Sequence, residues 1–179
     1  MRIRSGKVEL RAFEPALSAT LFEIRNHPSV REHLRDPRPI ARASHDAWVK
    51  QNLLEPRTQH LFVVSHSELA AGIALLRNFR GGEAEIGVMI VEAARRRLLA
   101  YTASHLIGYY GFEVLGLERL LSYVPLQHAQ AFEFNLNCGF EPTGEASDLY
   151  HVLALSKARS REHPAHRRFR ATREIRVEV

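Results

Sequence analysis

Residues 84–117 read AEIGVMIVEAARRRLLAYTASHLIGYYGFEVLGL, and the fold turns on this stretch. Ile86 to Val91 is a short apolar run rich in β-branched residues, the composition of a strand. A charged and small segment, Glu92 to Arg97, interrupts it. Beyond it Leu99, Ala103, Leu106, Tyr110 and Val114 recur at the spacing of one helical face. Gly116 follows, where a residue free to take positive φ ends a helix. Strand, tight turn and long helix aim backbone N–H groups and a helix dipole at an anion, so a phosphate-bearing ligand is expected above Arg95 to Ala100.

Upstream, Lys7 to Phe13 alternates as a strand, and Pro15 opens a helix continued by Leu17, Leu21 and Ile24. A second short helix is read over Ser29 to Leu34. Ser44 reads as the N-cap of a third, reaching about Leu54. His60 to Ser65 and Leu69 to Asn78 are strand-like. Downstream, Arg119 to Val124 is strand-like and His128 to Cys138 helix-like, and Leu149 to Leu155 closes as a strand. This order predicts a mixed sheet covered by helices rather than a regular doubly wound alternation.

With 179 residues, 45% of them hydrophobic, the chain can bury one core. Its single cysteine, Cys138, excludes an intramolecular disulfide and suits a reducing compartment. It has no apolar run of about 18 residues and no apolar signal core after MRIRSGKVEL, so a cytoplasmic protein without membrane association is expected. The net charge of +5 is local. Residues 156–179 hold eight Lys/Arg against three Asp/Glu, which leaves 17 of each in residues 1–155. The expected organisation is thus a domain over 1–155 and a basic, mobile C-terminal tail over 156–179, with nucleic acid as a partner the tail alone would bring. Ten histidines are scattered without HxxxH or CxxC spacing, so no metal site is expected. Serine-hydrolase and dinucleotide fingerprints are also missing.

Several motifs in order resemble the GCN5-related N-acetyltransferase (GNAT) superfamily, and more narrowly its ribosomal-protein N-terminal acetyltransferase-like branch. Ala84-Glu85-Ile86-Gly87 with Ile90 looks like its acetyl-CoA strand, and Arg95 to Ala100 occupies the six positions of its pyrophosphate loop. Tyr110 to Leu120 resembles its Y-x-F-E-x-L-G-L-x-R-L run, and Asn137-Cys138-Gly139-Phe140 stands at its Lys-x-Gly-Phe ending. The chain departs from the pattern at Leu98, a loop glycine in the family, and at Arg96, often a glycine. His128 replaces an asparagine that bonds the cofactor, and Asn135 a tyrosine that protonates the thiolate.

The resemblance implies an α/β (α+β) fold, a mostly antiparallel sheet of six to seven strands flanked by about four helices. It implies an acetyl-CoA-dependent N-acetyltransferase that moves the acetyl group directly to a primary amine on a protein N-terminus, an amino sugar or a small molecule. The alternative is a catalytically impaired acyl-CoA-binding or regulatory module of the same fold. By position, Val88, Met89, Ile90, Arg95, Arg96, Arg97, Leu98, Leu99, Ala100 and His128 would hold acetyl-CoA, with no metal. Glu85 and His128 would be the catalytic pair, although Glu85 also reads as a plain sheet-face carboxylate and His128 as a helix cap. Arg25, Asn26, His45 and Trp48, with Glu85, would contact the acceptor, by likeness to a subgroup acting on nucleotide-linked amino sugars. His45 and Trp48 lie three apart and share a helix face. Tyr101, Tyr109, Tyr110 and Tyr123 are left as unranked candidates for the acid. A homodimer is a further possibility the resemblance allows.

Overall fold

The structure is a computed structural model, described here for residues 1–32, 36–54, 58–92, 94, 98–145 and 147–178. Two strands open the chain, β1 (Arg2–Ser5) and β2 (Val8–Ala12). Helices α1 (Ser18–Asn26), α2 (Pro28–Arg31) and α3 (Arg42–Val49) follow, the last continued by a π-helical turn, Lys50–Leu54. A meander of β3 (Gln59–His66), β4 (Leu69–Arg80) and β5 (Glu83–Ile90) leads to α4 (Leu99–Tyr109), which ends in a second π-helical turn, Tyr110–Val114. Then come β6 (Arg119–Pro125), α5 (Ala129–Asn137), β7 (Glu141–Pro142) and β8 (Tyr150–Ser156). The chain closes with α6 (Lys157–Glu162), α7 (Pro164–Thr172) and β9 (Arg176–Glu178). Among the described residues no helix is long and apolar enough to cross a membrane.

The strands form one sheet in the order β7-β8-β6-β5-β4-β3-β2-β1-β9. The mixed, mostly antiparallel class is as expected. Nine strands stand where six or seven were expected, because the short terminal strands β1 and β9 carry no alternation long enough to register in sequence. Ser44 is not a cap: α3 starts two residues earlier, at Arg42, behind Ala41.

Alternation along the strands sends side chains to two cores. Phe62 and Val64 of β3, Ala74 and Leu76 of β4, and Ala84, Ile86 and Ile90 of β5 meet Leu99, Ala103, Leu106 and Ile107 of α4 on one face. Leu61, Val63, Ile73 and Leu75 meet Leu21 and Ile24 of α1 and Val49 of α3 on the other, where Trp48 and Met89 also pack. The result is three layers with α4 on one side and α1–α3 on the other.

The mobile tail expected from charge counting is folded. Phe169 of α7 is 3% exposed and belongs to the α4-side core, and β9 extends the sheet by pairing with β1. The arginines that made the segment look solvated are anchored instead. Arg161 pairs with Glu113, Arg159 with Glu141 at 3.0 Å and with the Gly139 carbonyl at 2.7 Å, and Arg170 donates to the Ser160 and Arg161 carbonyls at 2.9 Å. Truncating the buried ring tests this directly. Phe169→Ala should cost about 3–5 kcal/mol in urea denaturation, whereas a mobile tail would leave the midpoint unchanged.

The same interface buries two histidines. The rings of His105 (α4) and His166 (α7) lie 4.3 Å apart. His105 Nδ1–H donates to the Tyr101 carbonyl at 2.9 Å, leaving its Nε2 buried without a partner, and His166 Nε2–H donates to the Cys138 carbonyl at 2.7 Å. Burial first, then neighbouring positive charge, pushes His105 from 6.5 down to about 3; burial likewise takes His166 down to about 4. Both are therefore neutral when folded. Below pH 6.5 the unfolded chain binds protons the folded chain refuses, so stability falls as pH drops towards 4. The slope should approach about 1.4 kcal/mol per pH unit for each histidine. In denaturation series between pH 7 and 4, His105→Phe should flatten this dependence; an unchanged slope would remove His105 from the account.

Candidate active site

The site is built where two strands separate. β5 and β6 are parallel, which a chain achieves only with a crossover, here α4. Their registered pairs are Glu83–Arg119, Ala84–Leu120 and Glu85–Leu121, yet β5 runs on to Ile90 and β6 to Pro125. Past Glu85 the strands diverge into a V. Val88, Met89 and Ile90 lie along its β5 arm.

At the closed end of the V a cleft of about 310 Å³ is lined by Arg77, Asn78, Glu85, Leu121 and Tyr123. Glu85 shares its sheet face with Met89 two positions on twice, hence with the α1–α3 side. Its carboxylate is paired with Arg77 and accepts from Asn78 Nδ2 at 2.7 Å, and the side chain is 13% exposed. Arg77 is the cross-strand partner of Glu85; Asn78 reaches it through a bulge. Between the pairs Arg77–Glu85 and Arg80–Glu83, β4 carries one residue more than β5, and Asn78 takes φ +53° there. Sequence reasoning missed both partners.

The end of the β5 arm is fixed from two sides. The Glu92 N–H donates to Ser29 Oγ at 3.0 Å, tying the strand's exit to α2. Gly72 of β4 lies under Met89 and Ile90, and a Cβ at that position would overlap the Met89 carbonyl oxygen and the Ile90 side chain. Only glycine lets the two backbones approach so closely.

Leu98 precedes α4 in the left-handed conformation, φ +54°, which answers why glycine is the family residue at this position. A leucine there costs about 1–2 kcal/mol of strain. Its side chain is 65% exposed and supplies no cap, and the first α4 bond at this end is Thr102 N–H to the Leu98 carbonyl at 3.0 Å. Among the described residues the preceding N–H groups, of Leu99, Ala100 and Tyr101, have no helical acceptor, and they carry the positive end of the helix dipole. A helix terminus of this kind is a place where an anionic group can be held, and Leu98, Leu99 and Ala100 lie at it. Arg95, Arg96 and Arg97 lie outside the described residues.

His128 is the N-cap residue of α5 and its Nδ1 accepts from the Ala131 N–H at 3.4 Å. Asn135 donates within the same helix, to the Ala131 carbonyl at 2.8 Å. The tyrosines are now separable. Tyr101 donates to the Ala165 carbonyl at 3.1 Å, and Tyr110 is buried with its hydroxyl 2.7 Å from His60 Nδ1. Tyr123, 41% exposed, shares the cleft with Glu85. Cys138 is buried and its thiol is pushed up to about 12 by burial, so no nucleophilic role attaches to it. Among the described residues no group of three or more His, Cys, Asp or Glu is placed to hold a metal ion.

The residues expected to contact the acceptor divide. Asn26 is a clamp, donating to the Ile40 carbonyl at 3.1 Å and accepting its N–H at 2.8 Å, which holds the loop between α2 and α3. His45 is fully buried, with Nε2 3.2 Å from the Ser18 carbonyl and Nδ1 3.3 Å from Arg25 Nη1. Because arginine can only donate, Nδ1 accepts and the imidazole is neutral; burial and then the Arg25 charge lower its pKa. The Arg25 guanidinium lies over the half-buried Trp48, 3.9 Å from the ring centroid.

Comparison with known proteins fits this geometry. Residues 7–141 match the acetyltransferase (GNAT) domain family. The chain belongs to that family. It is therefore of the acetyl-CoA-dependent N-acetyltransferase class, with acetyl-CoA as co-substrate. No curated protein sequence matched the chain. Among solved structures it is similar to spermidine N-acetyltransferase from Vibrio cholerae in complex with CoA and spermine, with a TM-score of 0.77 and 16% identity over 86% of this chain and 97% of that one. A dodecameric form of spermidine N-acetyltransferase from the same organism is similar with a TM-score of 0.70 and 16% identity, over 88% and 97% of the two chains. At such identity the likeness shows the fold.

The helix terminus gives a prediction. Leu98→Gly should hold or raise the melting temperature, since strain is relieved and little burial is lost, and should tighten acetyl-CoA binding in calorimetry. Leu98→Ile, β-branched at positive φ, should lose stability; the reverse order would place the loop in another conformation.

Proposed function

We propose that the protein transfers an acetyl group directly to a primary amine that approaches from the α1–α3 side, with Glu85 as the group that accepts the amine's proton. The supporting observation is the placement of Glu85: at the point where β5 and β6 part, on the acceptor face, with its carboxylate oriented by Arg77 and Asn78. Bound acetyl-CoA would supply an activated acetyl thioester.

The chain's own residues supply the rest. A primary amine is an ammonium near neutral pH and must lose a proton before it is nucleophilic. The Glu85 carboxylate, with lone pairs left beyond its bonds to Arg77 and Asn78, takes that proton at Oε, directly or through a water. Arg77 and Asn78 keep the carboxylate from rotating away. Backbone N–H groups along Val88, Met89 and Ile90 line the V where oxyanion charge would be stabilised. Leu98, Leu99 and Ala100, with Arg95, Arg96 and Arg97 before them, would hold the diphosphate, and His128 would border the far arm. Tyr123 lines the same cleft as Glu85 and is the tyrosine best placed to act as acid. Protein N-termini, as in the ribosomal-protein N-terminal acetyltransferase-like branch, amino sugars and small amines all meet these requirements.

Glu85→Gln should lower kcat about 100-fold in a thiol-release assay across amine pools, with the KM for acetyl-CoA unchanged. Wild-type turnover in this variant would remove Glu85 as the base. Calorimetric binding of acetyl-CoA without turnover on any amine would favour the non-catalytic acyl-CoA-binding module, for which the leucine at position 98 and the capping role of His128 argue.

A further inference from the structure

The cleft at the closed end of the V has two unlike sides. Arg77, Asn78 and Glu85 supply the polar one, Leu121 and Tyr123 the other. Alternation along β6 sends Leu120 and Val124 into the α4-side core and turns Leu121 and Tyr123 to the opposite face of the sheet. The apolar cluster beneath α1–α3 takes side chains from β3, β4 and β5 but none from β6 or β8, so the helices do not cover this part of the face. A solvent-facing strand position ordinarily carries a polar residue, yet here a tyrosine 41% exposed stands beside a half-buried leucine.

The Tyr123 ring is braced from the next strand. Val152 of β8 lies opposite it in the ladder and is buried, and Tyr150, the diagonal neighbour, meets the Tyr123 ring edge-on at 6.3 Å and 89°. The two sides of the cleft are also close. Glu85 and Leu121 are the last registered pair of the parallel ladder, so one strand spacing of about 4.8 Å separates their backbones. Charge within the cleft is balanced, because Glu85 is the one carboxylate among the described lining residues and Arg77 already pairs with it.

We propose that the acceptor is a small monoamine with an apolar body, an aromatic ring or a hydrocarbon group of that size, which packs on Leu121 and Tyr123 while its amine faces Glu85. This rests on the acetyl-transfer reading and narrows its substrate class. The braced ring and the leucine gain contact area when such a body leaves water, and an aromatic one adds ring–ring attraction. An amino sugar would turn hydroxyls onto a surface that offers them little. A polyamine would bring a second ammonium into a cleft whose remaining charged group is the Arg77 guanidinium.

Four probes test this: phenethylamine, ethylamine, glucosamine and spermidine. In thiol-release assays kcat/KM for phenethylamine should exceed that for each of the others by about 30-fold. The ratio of phenethylamine to ethylamine isolates the ring, since any loss of chemistry affects both amines alike. Tyr123→Phe should keep this ratio even as its missing hydroxyl lowers kcat for both. Tyr123→Ala should bring it below about threefold, and so should Leu121→Gln, which makes the surface polar without touching the tyrosine. Tyr150→Ala should raise KM for phenethylamine while sparing its kcat and the KM for ethylamine. Binding is read separately by saturation-transfer NMR on the full chain with CoA. The ring protons of phenethylamine should be saturated with wild type and with Tyr123→Phe, and not with Tyr123→Ala or Leu121→Gln. Spermidine or glucosamine turned over as well as phenethylamine, or a ratio that survives both Tyr123→Ala and Leu121→Gln, would overturn the proposal. The two readings fail differently. Saturation that depends on Tyr123 and Leu121, with no thiol released from any amine, leaves the apolar site standing and ends the transferase reading. Equal turnover of ethylamine and phenethylamine, without saturation, does the opposite.

Discussion

The parallel ladder between β5 and β6 stops at Glu85 and Leu121, and the rest of the architecture follows from that stop. Parallel pairing requires a crossover, and α4 is that crossover, so its N-terminus returns to the sheet beside the strand that delivered it. The divergence leaves one arm, β5, fully paired to β4 and able to present its other edge. The site is therefore made of backbone first. Side chains such as Glu85 are added at the one place where the two arms still touch.

Charge is handled differently at two places on the α1–α3 side of the sheet. Arg77 and Glu85 neutralise each other and fix a geometry, the usual use of an ion pair near a surface. Arg25 is set between an indole and a neutral imidazole, which stabilise its position without cancelling its charge. One arginine orients a carboxylate the protein owns; the other has donors to spare.

What could be read from the residues and what could not divides along a physical line. The strand from Ile86, the helical stripe from Leu99 and the stop at Gly116 are local periodicities, and the structure carries all three. Arg77 and Asn78 were invisible because register and a bulge decide their reach, and neither is written in spacing. The C-terminal segment misled because its arginine count outweighed two residues, His166 and Phe169, three apart on one face of α7 and both buried. His45 is fully buried while Trp48, three residues on, is only half-buried, since a histidine with partners at both nitrogens is buried at less cost than its polarity suggests.

Gly72 carries no reacting atom and touches no functional side chain, yet the Met89 carbonyl occupies the space any other residue would need. Any side chain at this position would have to push β4 and β5 apart. A map of tolerated substitutions drawn over this protein would show a cold spot on β4, where the missing methyl group keeps the β5 arm of the V pressed against its neighbour.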